Sequence, residues 1–102
     1  MALDFAVLSE DEASADIVSL EWDQHDVLID FAEHHKLTQL LRFEDYFEEV
    51  DLTPAQLPEL AKELSLVKKT ATSPDIIEFA SKLEALITIA IKRQQKLSAV
   101  PD

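Results

Sequence analysis

Three histidines, seven serines and 21 Asp and Glu side chains are the groups in this 102-residue chain that could do chemistry. His25, His34 and His35 lie on or near one predicted helix. No pair has the i,i+4 spacing of HExxH or the i,i+3 spacing of ExxH, so a metal-activated water has no motif behind it. His35, seven residues after Leu28, shares its core-facing side and reads as a core-edge histidine flanked by His25 and His34. None of the serines sits in a strand–turn–helix elbow, and GxSxG is impossible because the chain has no glycine. Carboxylates are abundant, and a glycosidase-like pair among them would arise by number alone. No cysteine is present, which removes disulfides, thiolate metal sites and cysteine nucleophiles. The residues therefore point away from catalysis. No metal or cofactor is expected.

The most unusual segment is RFEDYFEEVD, residues 42–51, which holds five acids and three aromatics in ten positions. In a helix, Glu44/Glu48 and Asp45/Glu49 would be like-charge i,i+4 pairs, each mildly destabilising. Folding alone gives no reason to gather them. With Phe43 and Phe47 turned inward, Tyr46 is left among carboxylates, an amphipathic aromatic in an acidic rim. That is the composition of a binding hot spot for Arg- and Lys-rich surfaces.

The charge distribution agrees. The net charge is −12. Residues 1–51 carry 15 acids against Lys36 and Arg42, while residues 52–102 carry six acids against seven bases. All the excess negative charge lies in the first half. Nucleic acid would be repelled, and a basic protein is the natural complement, steered in by the field of the whole chain. The plainer alternative is that the acidity only maintains solubility.

Which elements must position these groups? At 47% apolar residues, one domain spanning 1–102 can build a core. ALDFAVL alternates Leu3, Phe5 and Val7 against Ala2, Asp4 and Ala6, and DIVSLEW alternates Val18, Leu20 and Trp22 against Ile17, Ser19 and Glu21. Both are strand patterns, joined by a loose SEDEASA loop into a hairpin that must rest on helices. Trp22 reads as a core anchor between sheet and helices.

A first helix is expected from Asp23, with Asp23 as its cap, Asp26 in its first turn, and Val27, Leu28, Phe31, Ala32 and His35 inward. Asp30 and Glu33 face outward. A short helix or turn follows around Leu40, Leu41, Phe43 and Phe47. DLTPAQLPEL offers Thr53 as N-cap, Pro54 at the first helical position, Gln56 closing a capping box and a Leu52/Leu57 staple. Pro58 either kinks this helix or delays its start to Leu57. After a polar KKTATS linker, Ser73 caps a last helix whose broad apolar face is Ile76, Phe79, Ala80, Leu83, Leu86, Ile87 and Ala90. Running to Gln95, it would be roughly 33 Å long and central. KLSAV could form a short strand closing on the hairpin. The expected class is α+β: a small antiparallel sheet packed on three to four helices.

No apolar run approaches the roughly 20 residues of a membrane helix, and MALDFAVLSEDE has no cationic segment of a signal peptide. A soluble, cytoplasmic protein is expected.

VSLEWDQHDVLIDFA, then LTQLLRFEDYFEEVDLTPAQLPELAKEL, then a long helix ending in KLSAVPD resembles, in that order, the small acidic bacterial immunity proteins of polymorphic or contact-dependent growth-inhibition toxin systems. Asp23, His25, Leu40, Leu41, Asp45, Tyr46, Leu60, Glu63, Leu64 and Asp102 carry the resemblance, and Phe47 stands where a second Tyr is usual. The resemblance implies a non-enzymatic inhibitor of a cognate basic toxin, with no cofactor and no nucleic acid or membrane partner. Were that toxin a nuclease, an acidic inhibitor would mimic the phosphate backbone. The alternative is an acidic intracellular adaptor or chaperone-like module. Joined to the charge pattern, the candidate partner-binding residues are Asp26, Asp30, Glu44, Asp45, Tyr46, Glu48, Glu49 and Asp51.

Overall fold

In a computed structural model, which describes residues 2–8 and 15–101, the chain is α+β, with a four-stranded antiparallel sheet and three α-helices. Strands β1 (Ala2–Leu8) and β2 (Ala15–Glu21) pair antiparallel, as the hairpin reading expects, with Leu3 opposite Leu20 and Phe5 opposite Val18. The reading of SEDEASA as a loop falls on residues outside those described, apart from Ala15, which opens β2; Asp102 also lies outside. The C-terminal strand β4 (Leu97–Pro101) pairs with β1, placing Ala99 opposite Phe5. A strand that periodicity did not suggest, β3 (Val50–Leu52), completes the order β2-β1-β4-β3. Three residues show too little alternation to announce a strand; β4 recruits them by pairing.

One sheet face is apolar. Leu3, Phe5, Val7, Leu20, Leu52, Leu97 and Ala99 are buried in the core. The other face carries Asp4, Ser19, Ile17 and Val100, and there Ser19 Oγ donates to Asp4 Oδ1 at 2.6 Å.

Helix α1 (Trp22–His35) begins one residue earlier than expected. Glu21 rather than Asp23 holds the cap position, and its N–H donates to Gln24 Oε1 at 3.1 Å. The helical register thus opens at Trp22 and interrupts the strand alternation there. Trp22 is consequently 48% exposed and is not the core anchor that alternation implied. Val27 is also exposed, and the buried stripe is His25, Leu28 and Ala32.

A single 3₁₀ turn, Leu40–Phe43, follows, matching the short helix or turn expected there. The TPAQ segment forms a turn in which Gln56 Oε1 accepts the Thr53 N–H at 2.9 Å, the return half of the capping box. Helix α2 itself runs Leu57–Thr70, the later of the two starts that Pro58 allowed. It absorbs Lys68–Thr70, so only residues 71–73 link it onward. Leu52 and Leu57 are fully buried, but Gln56 rather than Thr53 holds the N-cap, so they do not stand at the staple positions expected of a helix starting at Pro54.

Helix α3 (Pro74–Arg93) is the central element, packed against α1, α2, β1 and β2. All seven expected core positions on it are buried. Ser73 holds the extended N-cap position, but its side chain makes no capping bond. At 20 residues α3 spans about 30 Å.

Both α1 and α3 end in left-handed residues, Lys36 (φ 57°) and Gln94 (φ 58°). The Leu37 N–H reaches Ala32 O at 2.8 Å and the Gln95 N–H reaches Ala90 O at 3.0 Å, the long bonds of a Schellman cap. Glycine or asparagine would ordinarily fill such positions. A chain with neither uses Lys and Gln, at a steric cost of about 1–2 kcal/mol each.

Candidate protein-binding surface

The surface is built where β2 runs into α1 and the 3₁₀ turn exits. After Glu44, whose backbone is still right-handed helical, the chain turns over Asp45–Glu48, with the Glu48 N–H donating to Asp45 O at 3.2 Å. Asp45 Oδ1 accepts the Phe47 N–H at 2.9 Å, a side-chain turn of the kind Asp favours. Because this is a turn, the i,i+4 charge pairs of a helix do not arise. The same change exchanges two aromatics. Tyr46 is buried at 3% exposure and its hydroxyl donates to Leu20 O at 3.1 Å, whereas Phe47 is 59% exposed. The sequence expectation had these reversed, because it carried helical spacing from Phe43 through Phe47. Phe43 is buried as expected.

Three rings assemble around Tyr46. It meets Trp22 edge-on at 4.9 Å, His25 at 4.8 Å and Phe47 at 5.6 Å. Trp22 and Phe47 lie 5.7 Å apart with planes tilted 35°. Two large exposed rings are thus seated on two buried ones, so their positions are set before any partner arrives.

His25, not His35, is the buried histidine, at 4% exposure. Its Nε2 lies 2.6 Å from Phe43 O. A carbonyl can only accept, so Nε2 carries the proton donated there. Nδ1 is buried with no hydrogen-bond partner. His35 is half-buried at the end of the stripe, 4.2 Å from the Phe31 ring.

The expected acidic residues divide into groups. Asp26, Asp30 and Glu44 come together with Glu33 around an open groove of about 500 Å³, which His25 also lines. None of these four carboxylates forms an ion pair among the described residues. Asp45 is exposed but engaged in its turn, and Glu48 is exposed beside it. Glu49 and Asp51 belong elsewhere. Glu49 lines a separate hollow of about 300 Å³ on the outer sheet side, with Lys96, Ser98 and Val100. Asp51 pairs with Lys96 at 3.4 Å, and a hydrogen bond from Ser98, with help from Lys96, holds its carboxyl below the usual value. Among the described residues no group of three or more His, Asp or Glu side chains is placed to hold a metal ion.

Sequence reasoning missed Trp22 and Phe47 as surface residues. A signal for the first was present: Glu21 and Gln24 stand at capping-box spacing, which starts the helix before Asp23. Three further ion pairs, Lys62–Glu59, Lys68–Glu84 and Lys82–Glu78, lie on α2 and α3. They leave the acids of the α1 groove uncompensated. Among the described residues no helix is long and apolar enough to cross a membrane.

No family model, curated protein or solved structure matches the chain.

Proposed function

We propose that this chain is an immunity protein, a non-catalytic inhibitor that binds a basic toxin in the cytoplasm of the producing cell and covers its working surface. The observation that carries the reading is the exposed Trp22–Phe47 pair, seated on buried Tyr46 beside carboxylates without internal partners. Burying large aromatics is the main source of hot-spot energy at protein interfaces, and holding them rigid lowers the entropy cost of association. The acidic first half accelerates encounter with a basic surface, and the rings then resist dissociation. Inhibition follows from occlusion alone. For a nuclease toxin, the groove carboxylates would stand in for substrate phosphates.

The test is co-expression with the product of the gene adjacent to this chain's own, which the proposal requires to be toxic. Wild type should restore growth and co-purify with it, and Trp22→Ala with Phe47→Ala should do neither while remaining folded. Co-purification with a basic protein that is not toxic would instead support an acidic adaptor.

A further inference from the structure

In the strand order β2-β1-β4-β3, no strand among the described residues lies beyond β2. The Glu21 N–H goes to Gln24 Oε1 at 3.1 Å rather than to β1. Antiparallel pairing alternates, so Ser19 and Ile17 likewise direct their N–H and C=O groups away from β1. The short bond from Ser19 Oγ to Asp4 Oδ1, 2.6 Å, fits this, because facing residues without main-chain bonds stand closer together. Natural sheet edges are blunted by lysine, proline, a bulge or shortness. The opposite edge, β3, is three residues long. β2 has seven, in unbroken register with β1, and none is lysine or proline. Resting on the reading that this chain binds a basic protein, we propose that the β2 edge receives an extended, basic segment of that partner as a fifth strand.

A groove of about 260 Å³ lies along the edge, between Ile17, Ser19 and Gln24 on one side and Asp75, Glu78 and Phe79 of α3 on the other. Main-chain bonds to Ile17 and Ser19 hold the added strand, and its side chains alternate between two surroundings. Those toward α3 meet Asp75, which forms no ion pair among the described residues, and Glu78, paired only with Lys82 of the same helix. Those on the other face cover Ile17, which is 58% exposed. A segment alternating basic and apolar residues suits both. A second copy of this chain does not: it brings a net charge of −12, and the only charges within its own β2 are Asp16 and Glu21. The edge also leads straight into the ring surface, since Trp22 follows Glu21.

Amide exchange on the wild-type protein decides it, with a short peptide of alternating lysine and valine as probe and its glutamate–valine counterpart as control. In the free protein the Ile17 and Ser19 amides should exchange faster than those of Val18 and Leu20, which bond to β1. The lysine peptide at near-saturation should slow Ile17 and Ser19 by about tenfold, and the glutamate peptide should not. Ile17→Pro removes an N–H that the sheet does not use, so it should fold and lose the peptide, whereas Val18→Pro should disrupt the sheet. Unchanged exchange at both amides, equal slowing by the two peptides, or slowing by a raised concentration of the chain alone would overturn the proposal. A toxin neutralised while Ile17 and Ser19 still exchange freely in the complex would sink the strand site and spare the immunity reading. Peptide protection at these amides with no neutralised toxin would do the reverse.

Discussion

The indole of Trp22 meets the ring of Tyr46 edge-on, centroids 4.9 Å apart and planes at 90°. One ring is nearly half exposed and the other is buried, so they should respond oppositely to truncation. Trp22→Ala and Phe47→Ala should change thermal stability little yet abolish tight partner binding, mainly by faster dissociation. Tyr46→Ala should cost roughly 3–5 kcal/mol of folding stability, and Tyr46→Phe about 1–2 kcal/mol from the lost bond to Leu20 O. Denaturant unfolding and partner kinetics, measured on the same variants, separate the two roles. If Trp22→Ala unfolded the chain, the indole would be a core residue after all.

Glu63 on α2 ties the α1 exit to the second half of the chain. Its two oxygens accept the Gln39 N–H at 3.0 Å and the Leu40 N–H at 2.8 Å, satisfying amides at the start of the 3₁₀ turn. Glu63→Ala should cost roughly 2–3 kcal/mol, since bonds to a charged acceptor are lost and half-buried donors are stranded. Amide exchange at Gln39 and Leu40 should accelerate more than elsewhere. Glu63→Gln, which keeps one acceptor, should recover part of the loss.

The left-handed caps offer a gain in stability. Gln94→Gly should stabilise by about 1 kcal/mol, because glycine adopts that conformation without the Cβ clash. Lys92→Gly, two residues earlier and inside the helix, should destabilise by about the same amount. Melting curves of the pair test whether φ at Gln94 or glycine itself is responsible.

Asp51 supplies a pH dependence. Its carboxyl is held below the ordinary 3.8, first by the Ser98 hydrogen bond and then by Lys96, against the opposing effect of burial. A group with a depressed folded pKa contributes stability that is complete above the unfolded value. That contribution is lost as pH falls through the folded value. Urea midpoints of wild type should therefore fall more steeply below about pH 4 than those of Asp51→Asn. The difference should be small, because the Asp51–Lys96 pair is open to solvent.

Much of this architecture is written in local pattern. Leu3, Phe5 and Val7 alternate and face the core, and the seven apolar positions of α3 recur at helical spacing and are all buried. Such periods reflect one element facing one core, and they need no knowledge of neighbours. The gathering of negative charge in residues 1–51 is likewise a property of composition. Tertiary structure decided the rest. β3 exists because β4 lies beside it. Trp22 faces solvent because the helix register takes over from the strand at that residue, reversing what alternation predicted. Tyr46 and Phe47 exchange places because the Asp45 turn replaces helical spacing, and the Leu20 carbonyl rewards the ring that can donate to it. Of the clustered acids, Glu44 joins Asp26 and Asp30, 18 and 14 residues earlier in the chain, while Asp51 turns to Lys96. Proximity across such separations depends on how the elements pack, and no local period encodes it.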